Sequence, residues 1–237
     1  MAKNLSVLIG VSALALAVAT PLLSASSNKD DDIARLNSAA LVFRQVMGTP
    51  DKAIPAEILE HAQCIAIIPG EKKAAFGVGG NYGKGVAMCR DGGSWGAPLF
   101  ITIGGGSWGL QIGAQSSDVI MVFGNRSQLD SLLSSKFRIG AEASAAAGPV
   151  GRHVSAATDV KLNSEILTYG RSKGAFAGIS LSGAVVQPDT DGNAAMYGAN
   201  TTPTNILTGT HGVTVPAAAR SLAHELDRST AAAPAKP

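Results

Sequence analysis

Two different spacings of apolar residues divide this chain into helical and extended parts. Over residues 33–47, apolar side chains recur every three or four positions, which predicts an amphipathic helix that Gly48-Thr49-Pro50 ends. Further helices are predicted over 54–62, 127–134, 189–197 and 215–226. Elsewhere the apolar residues occur in short runs bounded by glycine, proline and polar residues, a pattern typical of strands.

The extended part is centred on residues 74–124, which hold 14 of the 28 glycines. Strands are predicted over 64–68, 75–78, 85–90, 99–103, 109–114, 119–123, 136–147, 166–169, 175–181 and 183–187. The second and third of these are predicted to pair as a hairpin across a glycine-rich bend. Glycine weakens a strand unless another group must approach closely. The fold class predicted is therefore α+β, with a glycine-rich, strongly curved, mostly antiparallel sheet or barrel-like core and short flanking helices.

The N-terminus has the pattern of a secretory signal peptide. Lys3 precedes an apolar run over 5–19, and small residues permit cleavage after Ala19 or Ser26. The alternative is a membrane anchor, but this run is shorter than the roughly 20 residues that a spanning helix needs. We therefore expect an exported protein, periplasmic or secreted and peripheral to a membrane. The organisation expected is a leader over 1–26, a helical segment over 27–52, one domain over 53–228 and a disordered tail over 229–237.

Export would determine the oxidation state of the two cysteines. Cys64 and Cys89 both lie in predicted strands, and in an oxidising compartment they are expected to form a disulfide. Such a bond would close a loop of about 25 residues and stabilise the fold by roughly 3 kcal/mol. The alternative is a pair of buried free thiols. Two cysteines are only half of a tetrahedral metal site, and no histidine is spaced to complete it, so neither a metal nor another cofactor is predicted.

The charge pattern excludes one class of partner and suggests another. A net charge of +2 is too low for a nucleic-acid-binding protein. Residues 71–174, however, hold 11 Lys and Arg against 7 Asp and Glu, a local net charge of +4. Basic groups beside apolar residues suit anionic lipid headgroups, and the alternative is an ordinary solvated surface. The candidate lipid contacts are Lys72, Lys73, Lys84, Arg138, Arg171 and Lys173.

Catalytic motifs fail on their context. Gly-Gly-Ser-Trp-Gly occurs at 92–96 and at 105–109 and matches a nucleophile elbow, with Ser94 or Ser107 as nucleophile. Such an elbow needs a helix after the serine, whereas strand-like segments follow both copies. The copies are better explained as strand-turn-strand corners whose tryptophans pack or meet an interface. No catalytic residue is predicted, and we expect the protein not to be an enzyme.

Two further motifs also lack the required spacing. The segment GVGGNYGKG has Gly85 where a phosphate-binding loop needs serine or threonine. The segment Asp189-Thr190-Asp191-Gly192-Asn193 begins like a calcium loop, but its glycine comes at the fourth position instead of the sixth. Helix capping explains these aspartates more simply.

Long segments of the chain resemble the SYLF domain, in the same order. They are FGVGGNYGKGV from Phe76, WGAPLFITIGGGSWGLQIGAQSSDVI from Trp95, KFRIGAEASAAAGPVGR from Lys136, and YGRSKGAFAGISLSGAVV from Tyr169, followed by PDTDGN. The resemblance covers about residues 53–210. It implies a lipid-binding module that prefers phosphoinositides and other anionic phospholipids. Eukaryotic members of the family also bind and bundle actin, which is not expected of an exported protein.

The hypothesis that follows is non-enzymatic binding of anionic phospholipids, with phosphoinositide-like headgroups, by an exported SYLF-domain protein. The alternative is a structural or scaffold protein of the cell envelope, acting through protein–protein contacts at exposed tryptophans. In eukaryotic members of the family an amphipathic N-terminal helix is linked to membrane binding. Its counterpart here, over 33–47, is only weakly basic, with Arg35 and Arg44.

Overall fold

Two long strands form most of the sheet in this computed structural model. It describes residues 29–48, 53–125, 128, 136–141, 144–151, 166–172, 175–181, 183–210 and 212–231. The helices are α1 (Lys29–Met47), α2 (Ala56–His61), α3 (Thr190–Tyr197), α4 (Pro203–Leu207) and α5 (Ala217–Ala231). The strands are β1 (Cys64–Asp91), β2 (Ser94–Trp95), β3 (Leu99–Phe123), β4 (Phe137–Arg138), β5 (Ala145–Ala147), β6 (Ile166–Ser172), β7 (Ala175–Gly178) and β8 (Val185–Pro188).

Strand β3 is the centre of the sheet. It pairs antiparallel with β1 along nearly its whole length, from Phe123 opposite Cys64 to Leu99 opposite Ala87. On its other side it pairs with β6 near one end and with β8 near the other. Strand β4 extends β8, while β7 and the parallel strand β5 extend β6. The predicted fold class is confirmed: the protein is α+β, with a strongly curled half-barrel sheet and short flanking helices.

Strand β1 bends so far that its two ends lie beside each other. The amide of Arg90 donates a hydrogen bond of 2.8 Å to the carbonyl of Gln63. The Cα atoms of Cys64 and Cys89 are 4.0 Å apart, and a disulfide joins these residues, as predicted. Two register shifts of the β1–β3 ladder, one between Ile68 and Glu71, accompany this bend.

Several predicted strand boundaries are wrong because bulges take the place of turns. The segments 75–78 and 85–90 do not pair with each other as a hairpin. In the ladder between β1 and β3, their partners lie on β3. The three strands predicted between 99 and 123 are one continuous strand. The strand predicted over 136–147 is interrupted at Gly140, whose φ of 89° makes a turn between β4 and β5. Helix α4 was not predicted, and most of the helix predicted over 127–134 lies outside the described residues.

The doubled Gly-Gly-Ser-Trp-Gly motif has two different structures. At 92–96, Gly92 and Gly93 adopt φ of 58° and 97° and turn the chain from β1 into β2. This copy is the predicted strand-turn-strand corner. The copy at 105–109 lies inside β3, where Gly105 and Gly106 pair with Asn81 and Gly80, so the prediction of a corner there is wrong.

The two faces of the sheet carry separate apolar clusters. On one face, Phe100, Ile120 and Tyr169 pack with side chains of α1, α2 and α5, among them Leu36 and Leu222. These helices cover the sheet, as predicted. The other face packs Met121, Ile139 and Val186 together with Ile206 and Leu207 of α4. Among the helices of the described residues, none combines the length and the hydropathy that crossing a membrane requires.

Replacing Gly85 by alanine is expected to lower the free energy of unfolding by about 2 kcal/mol. A Cβ atom at Gly85 would meet the carbonyl oxygen of Ile67 and would lie 2.9 Å from the Cα of Ile68. Backbone atoms cannot rotate away as a flexible side chain could. Gly106→Ala is the matched control, because a Cβ there meets no atom within 4 Å. Urea unfolding measures the stability of both variants. Equal unfolding midpoints for Gly85→Ala and Gly106→Ala would contradict the close packing of β1 against itself.

Candidate functional site

The predicted basic contacts fall into two groups on the sheet. Lys72 and Lys73 lie on β1 opposite Ser116 and Gln115, near Arg171 of β6, which lies opposite Asp118. We call Lys72, Lys73 and Arg171 the first basic group. The second basic group is Lys84 and Arg138, which lie towards β8 and β4. Lys173 lies outside the described residues.

Most of the charge in the first basic group is balanced within the protein. Arg171 donates from Nε and Nη2 to Oδ2 of Asp118, at 2.9 and 2.6 Å. Lys73 Nζ is 3.6 Å from Oε2 of the buried Glu71. Lys72 is exposed, and in the part of the chain that the structure describes no carboxylate forms an ion pair with it. Lys72 is therefore the cation of this group most available to an external anion.

Lys84 belongs to a chain of four charges beneath α1. Its Nζ lies 3.1 Å from Oδ2 of Asp189, and the same oxygen accepts a hydrogen bond of 2.8 Å from Nη1 of Arg35. Arg35 also contacts Asp32, at 2.9 Å from Nη2 to Oδ1. Both aspartates are buried, whereas the side chain of Lys84 is 38% exposed. The four charges sum to zero, which makes their burial tolerable.

Asp189 is fixed by α3 as well as by the two cations. It is the N-cap of this helix, and its side chain accepts a hydrogen bond from the amide of Gly192. Burial opposes ionisation of Asp189, but the hydrogen bonds from Arg35 and Lys84 outweigh this effect and lower the pKa of its carboxyl. The capping role predicted for this segment is thus confirmed.

The neighbouring residues of α3 attach this network to β3. Asn193 accepts a hydrogen bond from the amide of Phe100 through Oδ1 and donates one to the carbonyl of Phe100 through Nδ2. The guanidinium of Arg35 lies 5.2 Å from the centroid of the Phe100 ring. Tyr197 donates a hydrogen bond of 2.6 Å to the carbonyl of Pro98, and burial raises the pKa of its phenol. These contacts hold α1, α3 and the sheet in one arrangement.

An open cleft of about 230 Å³ lies beside Tyr82, two residues before Lys84 on β1 and therefore on the same face of the sheet. It is lined by Tyr82 of β1, by residues 102–105 of β3, and by Val185 and Gln187 of β8. Tyr82, Gly104, Val185 and Arg138 are consecutive partners across four strands, so all four share one face of the sheet. The side chain of Tyr82 is 55% exposed, a high value for a large apolar residue. Arg138 is exposed and, within the described residues, has no ion-pair partner.

The tryptophan and serine of the first Gly-Gly-Ser-Trp-Gly copy have structural surroundings. Trp95 is 5% exposed, and the guanidinium of Arg90 lies 4.5 Å from its ring centroid. Ser94 and Trp95 form β2 and are followed by an irregular segment that begins at Gly96, not by the helix of a nucleophile elbow. Side-chain contacts of Trp108 and Ser107 fall outside what the structure describes. The burial of Trp95 removes one of the two contacts on which the scaffold hypothesis depended.

Sequence reasoning missed Asp32, Arg35, Asn193 and Tyr82. In the sequence, Arg35 is only one of two basic residues of the predicted N-terminal helix. Only the PDTDGN segment carried a signal, because four oxygen-bearing side chains in five residues indicate a fixed turn. No local pattern could show that its partner cations lie on α1 and β1.

Comparison with known proteins shows the family to which this chain belongs. The profile of the Ysc84 family, described as "Las17-binding protein actin regulator", matches residues 104–229. The chain belongs to the Ysc84 (SYLF) family. The match includes β4, β6, β8, α3 and nearly all of α5, and it contains Arg138, Arg171 and Asp189.

Proteins from fungi and animals are similar to this chain over most of its length. An SH3 domain-containing protein of Schizosaccharomyces pombe is 29% identical over 85% of the chain, which covers 47% of that protein. Protein YSC84 of Saccharomyces cerevisiae is 31% identical over 77%, covering 39% of its length. SH3 domain-containing YSC84-like protein 1 of Bos taurus is 31% identical over 76%, covering 53%. The chain thus spans about half the length of these relatives, or less.

Proposed function

We propose that this protein is exported and binds anionic phospholipid membranes reversibly, without catalysing a reaction. The observation that carries the proposal is the exposure of Lys72 and Arg138, two cations without an ion-pair partner among the described residues. They lie on the curled sheet of a family member in which residues 71–174 carry a net charge of +4. Exposed cations beside apolar surface favour anionic headgroups.

The remaining candidates contribute less to such a surface. Arg171, Lys73 and Lys84 already have carboxylate partners within 4 Å. Releasing Lys73 or Arg171 to a headgroup would leave the buried Glu71 or the part-buried Asp118 without its ion-pair partner among the described residues. Releasing Lys84 would leave the buried Asp189 with Arg35 as its remaining cation. A membrane surface would therefore be contacted first by Lys72 and Arg138, at about 1 kcal/mol for each basic residue.

Charge reversal at either of these two residues is expected to weaken vesicle binding. Lys72→Glu and Arg138→Glu should each lower the partition coefficient on phosphatidylglycerol-containing vesicles by about thirtyfold, because an attraction of roughly 1 kcal/mol becomes a repulsion of similar size. Arg220→Glu, on the exposed side of α5, changes the net charge equally and should leave binding nearly unchanged. Co-sedimentation with vesicles measures all three.

Neutral vesicles decide whether this binding is electrostatic. Pure phosphatidylcholine vesicles should recover little of the wild-type protein, and salt should release it from anionic ones. Equal recovery on both kinds of vesicle, or equal losses for Arg220→Glu and Lys72→Glu, would overturn the proposal.

A second candidate function comes from the family description, which names Las17 binding and actin regulation. It ranks below membrane binding because the leader-like N-terminus indicates export, away from actin. Co-sedimentation with actin filaments in the absence of lipid would favour it. Because relatives such as protein YSC84 extend well beyond the matched segment, residues outside that segment can carry those activities.

A further inference from the structure

We infer that the Tyr82 cleft binds the apolar chain of one single-chain anionic amphiphile, whose charged end is held by Arg138. The Tyr82 cleft is the space between Tyr82, residues 102–105, Val185 and Gln187. Because Arg138 also belongs to the membrane surface proposed above, the inference rests in part on that function. It goes further by assigning a ligand that is taken up as a monomer.

The shape of the cleft follows from Gly104. Tyr82 on one side and Val185 on the other are its partners in the neighbouring strands, so their side chains flank a position that has none. The result is a trough with a glycine floor and apolar walls. At about 230 Å³ it is smaller than the roughly 300–1,000 Å³ of pockets that enclose drug-sized ligands. It therefore suits one narrow chain better than a two-chain lipid.

The charges around the cleft select the sign of the ligand. Arg138 is the register partner of Val185 and lies one strand beyond that wall. It has no ion-pair partner within the described residues, and a guanidinium holds phosphate or carboxylate through paired hydrogen bonds. Lys84 lies near the opposite wall, but Asp189 balances its charge. The unbalanced positive charge at the rim is thus that of Arg138, which complements an anionic end group.

The exposed ring of Tyr82 is consistent with this role. Large apolar side chains gain by burial, and this one is 55% exposed although it lies beside an apolar trough. A chain in the trough would cover part of the ring as well as the wall formed by Val185. Thr102 and Gln187, which also line the trough, can hydrogen-bond water around the chain or the polar end of the ligand.

The test titrates the protein with dodecyl phosphate below its critical micelle concentration. Binding is measured by calorimetry and by the amide NMR signals of Gly104 and Gly105. Binding of dodecyl phosphate should shift both signals. Gly104→Ala should weaken binding about tenfold, because the added methyl group occupies the floor. Its Cβ would lie 3.5 Å from the carbonyl oxygen of Asn81, an ordinary contact that the fold accommodates. Gly106→Ala, two residues along the same strand and outside the lining, should bind like the wild type.

Further variants and probes separate the chain from the charge. Tyr82→Ala, at an exposed position, and Arg138→Gln should each weaken binding of dodecyl phosphate about tenfold. Inorganic phosphate and dodecyl maltoside should each bind far more weakly. Equal binding of dodecyl maltoside, equal shifts with inorganic phosphate, or no difference between Gly104→Ala and Gly106→Ala would each overturn the inference.

Vesicle binding distinguishes this inference from the proposed function. Gly104→Ala should still sediment with anionic vesicles as the wild type does, since it retains Lys72 and Arg138. Loss of dodecyl phosphate binding with vesicle binding intact would support the cleft. If vesicle binding fails while Gly104→Ala still weakens binding of dodecyl phosphate, the membrane proposal falls and the cleft stands.

Discussion

Replacing both Cys64 and Cys89 by alanine is expected to lower the free energy of unfolding by about 3 kcal/mol. The disulfide closes a loop with a sequence separation of 25. Opening a loop of this size raises the conformational entropy of the unfolded chain and so lowers its free energy by roughly 3 kcal/mol. Both sulfur atoms are buried in an apolar cluster, so alanine leaves no polar group unpaired. For a chain of this size the melting temperature should fall by about 10 °C.

Reduction of the wild-type protein provides the matched control. Differential scanning calorimetry of the wild type in a thiol reductant should reproduce the lower melting temperature, whereas the double alanine variant should not respond to the reductant. A double variant that melts with the oxidised wild type would contradict a structural role for the bond. We expect the lost stability to come from the contact between the two ends of β1, because the disulfide and the Arg90–Gln63 hydrogen bond both join these ends.

The sequence allows prediction of features that depend on residue type and short-range order. The pairing of Cys64 with Cys89 follows from a leader-like N-terminus and two strand-like cysteines. The N-terminal helix follows from its apolar spacing, and α1 does extend from Lys29 to Met47. The abundance of glycine predicts a sharply curved sheet, and Gly85 shows why: its missing side chain makes room for Ile67 and Ile68 of the same strand.

Other features depend on how strongly a partner strand overrides local turn signals. Pro69 and Gly70 look like the end of a strand, and Gly70 does have a φ of 60°. The ladder with β3 nevertheless resumes at Glu71, because a bulge absorbs both residues. Gly104 to Gly106 likewise remain in β3, since β1 supplies hydrogen-bond partners along that stretch. A short-range pattern of turn residues contains no information about such a partner.

The candidate site shows the same limit. Charge alone makes Lys84 and Arg138 candidates, and only the fold shows that Asp189 balances Lys84 whereas Arg138 has no carboxylate partner among the described residues. The Tyr82 cleft needs three strands in register, which pattern analysis cannot supply. The roles of these residues in lipid binding stay predictions.

Asp189→Asn is expected to lower the free energy of unfolding by about 3 kcal/mol at pH 7. The substitution takes a carboxylate from the buried Arg35, and removing one partner of a buried ion pair typically costs about 3–5 kcal/mol. Asp32 still faces Arg35, which keeps the expected loss at the low end. Lys84 adds little because more than a third of its side chain is exposed. Asp191→Asn, at an exposed position of the same helix, should change stability by less than about 1 kcal/mol.

The pH dependence shows whether the ionised carboxylate is responsible. Since the pKa of Asp189 is lowered in the folded protein, its contribution is complete above the pKa of the unfolded chain, about 3.9, and is lost as the pH falls through the lower folded value. Urea unfolding at pH 7 should therefore separate the wild type from Asp189→Asn fully. The separation should shrink only below about pH 4. A difference that is the same at pH 7 and at pH 2 would contradict a contribution of the ionised carboxylate, because asparagine can also accept the capping hydrogen bond at this position.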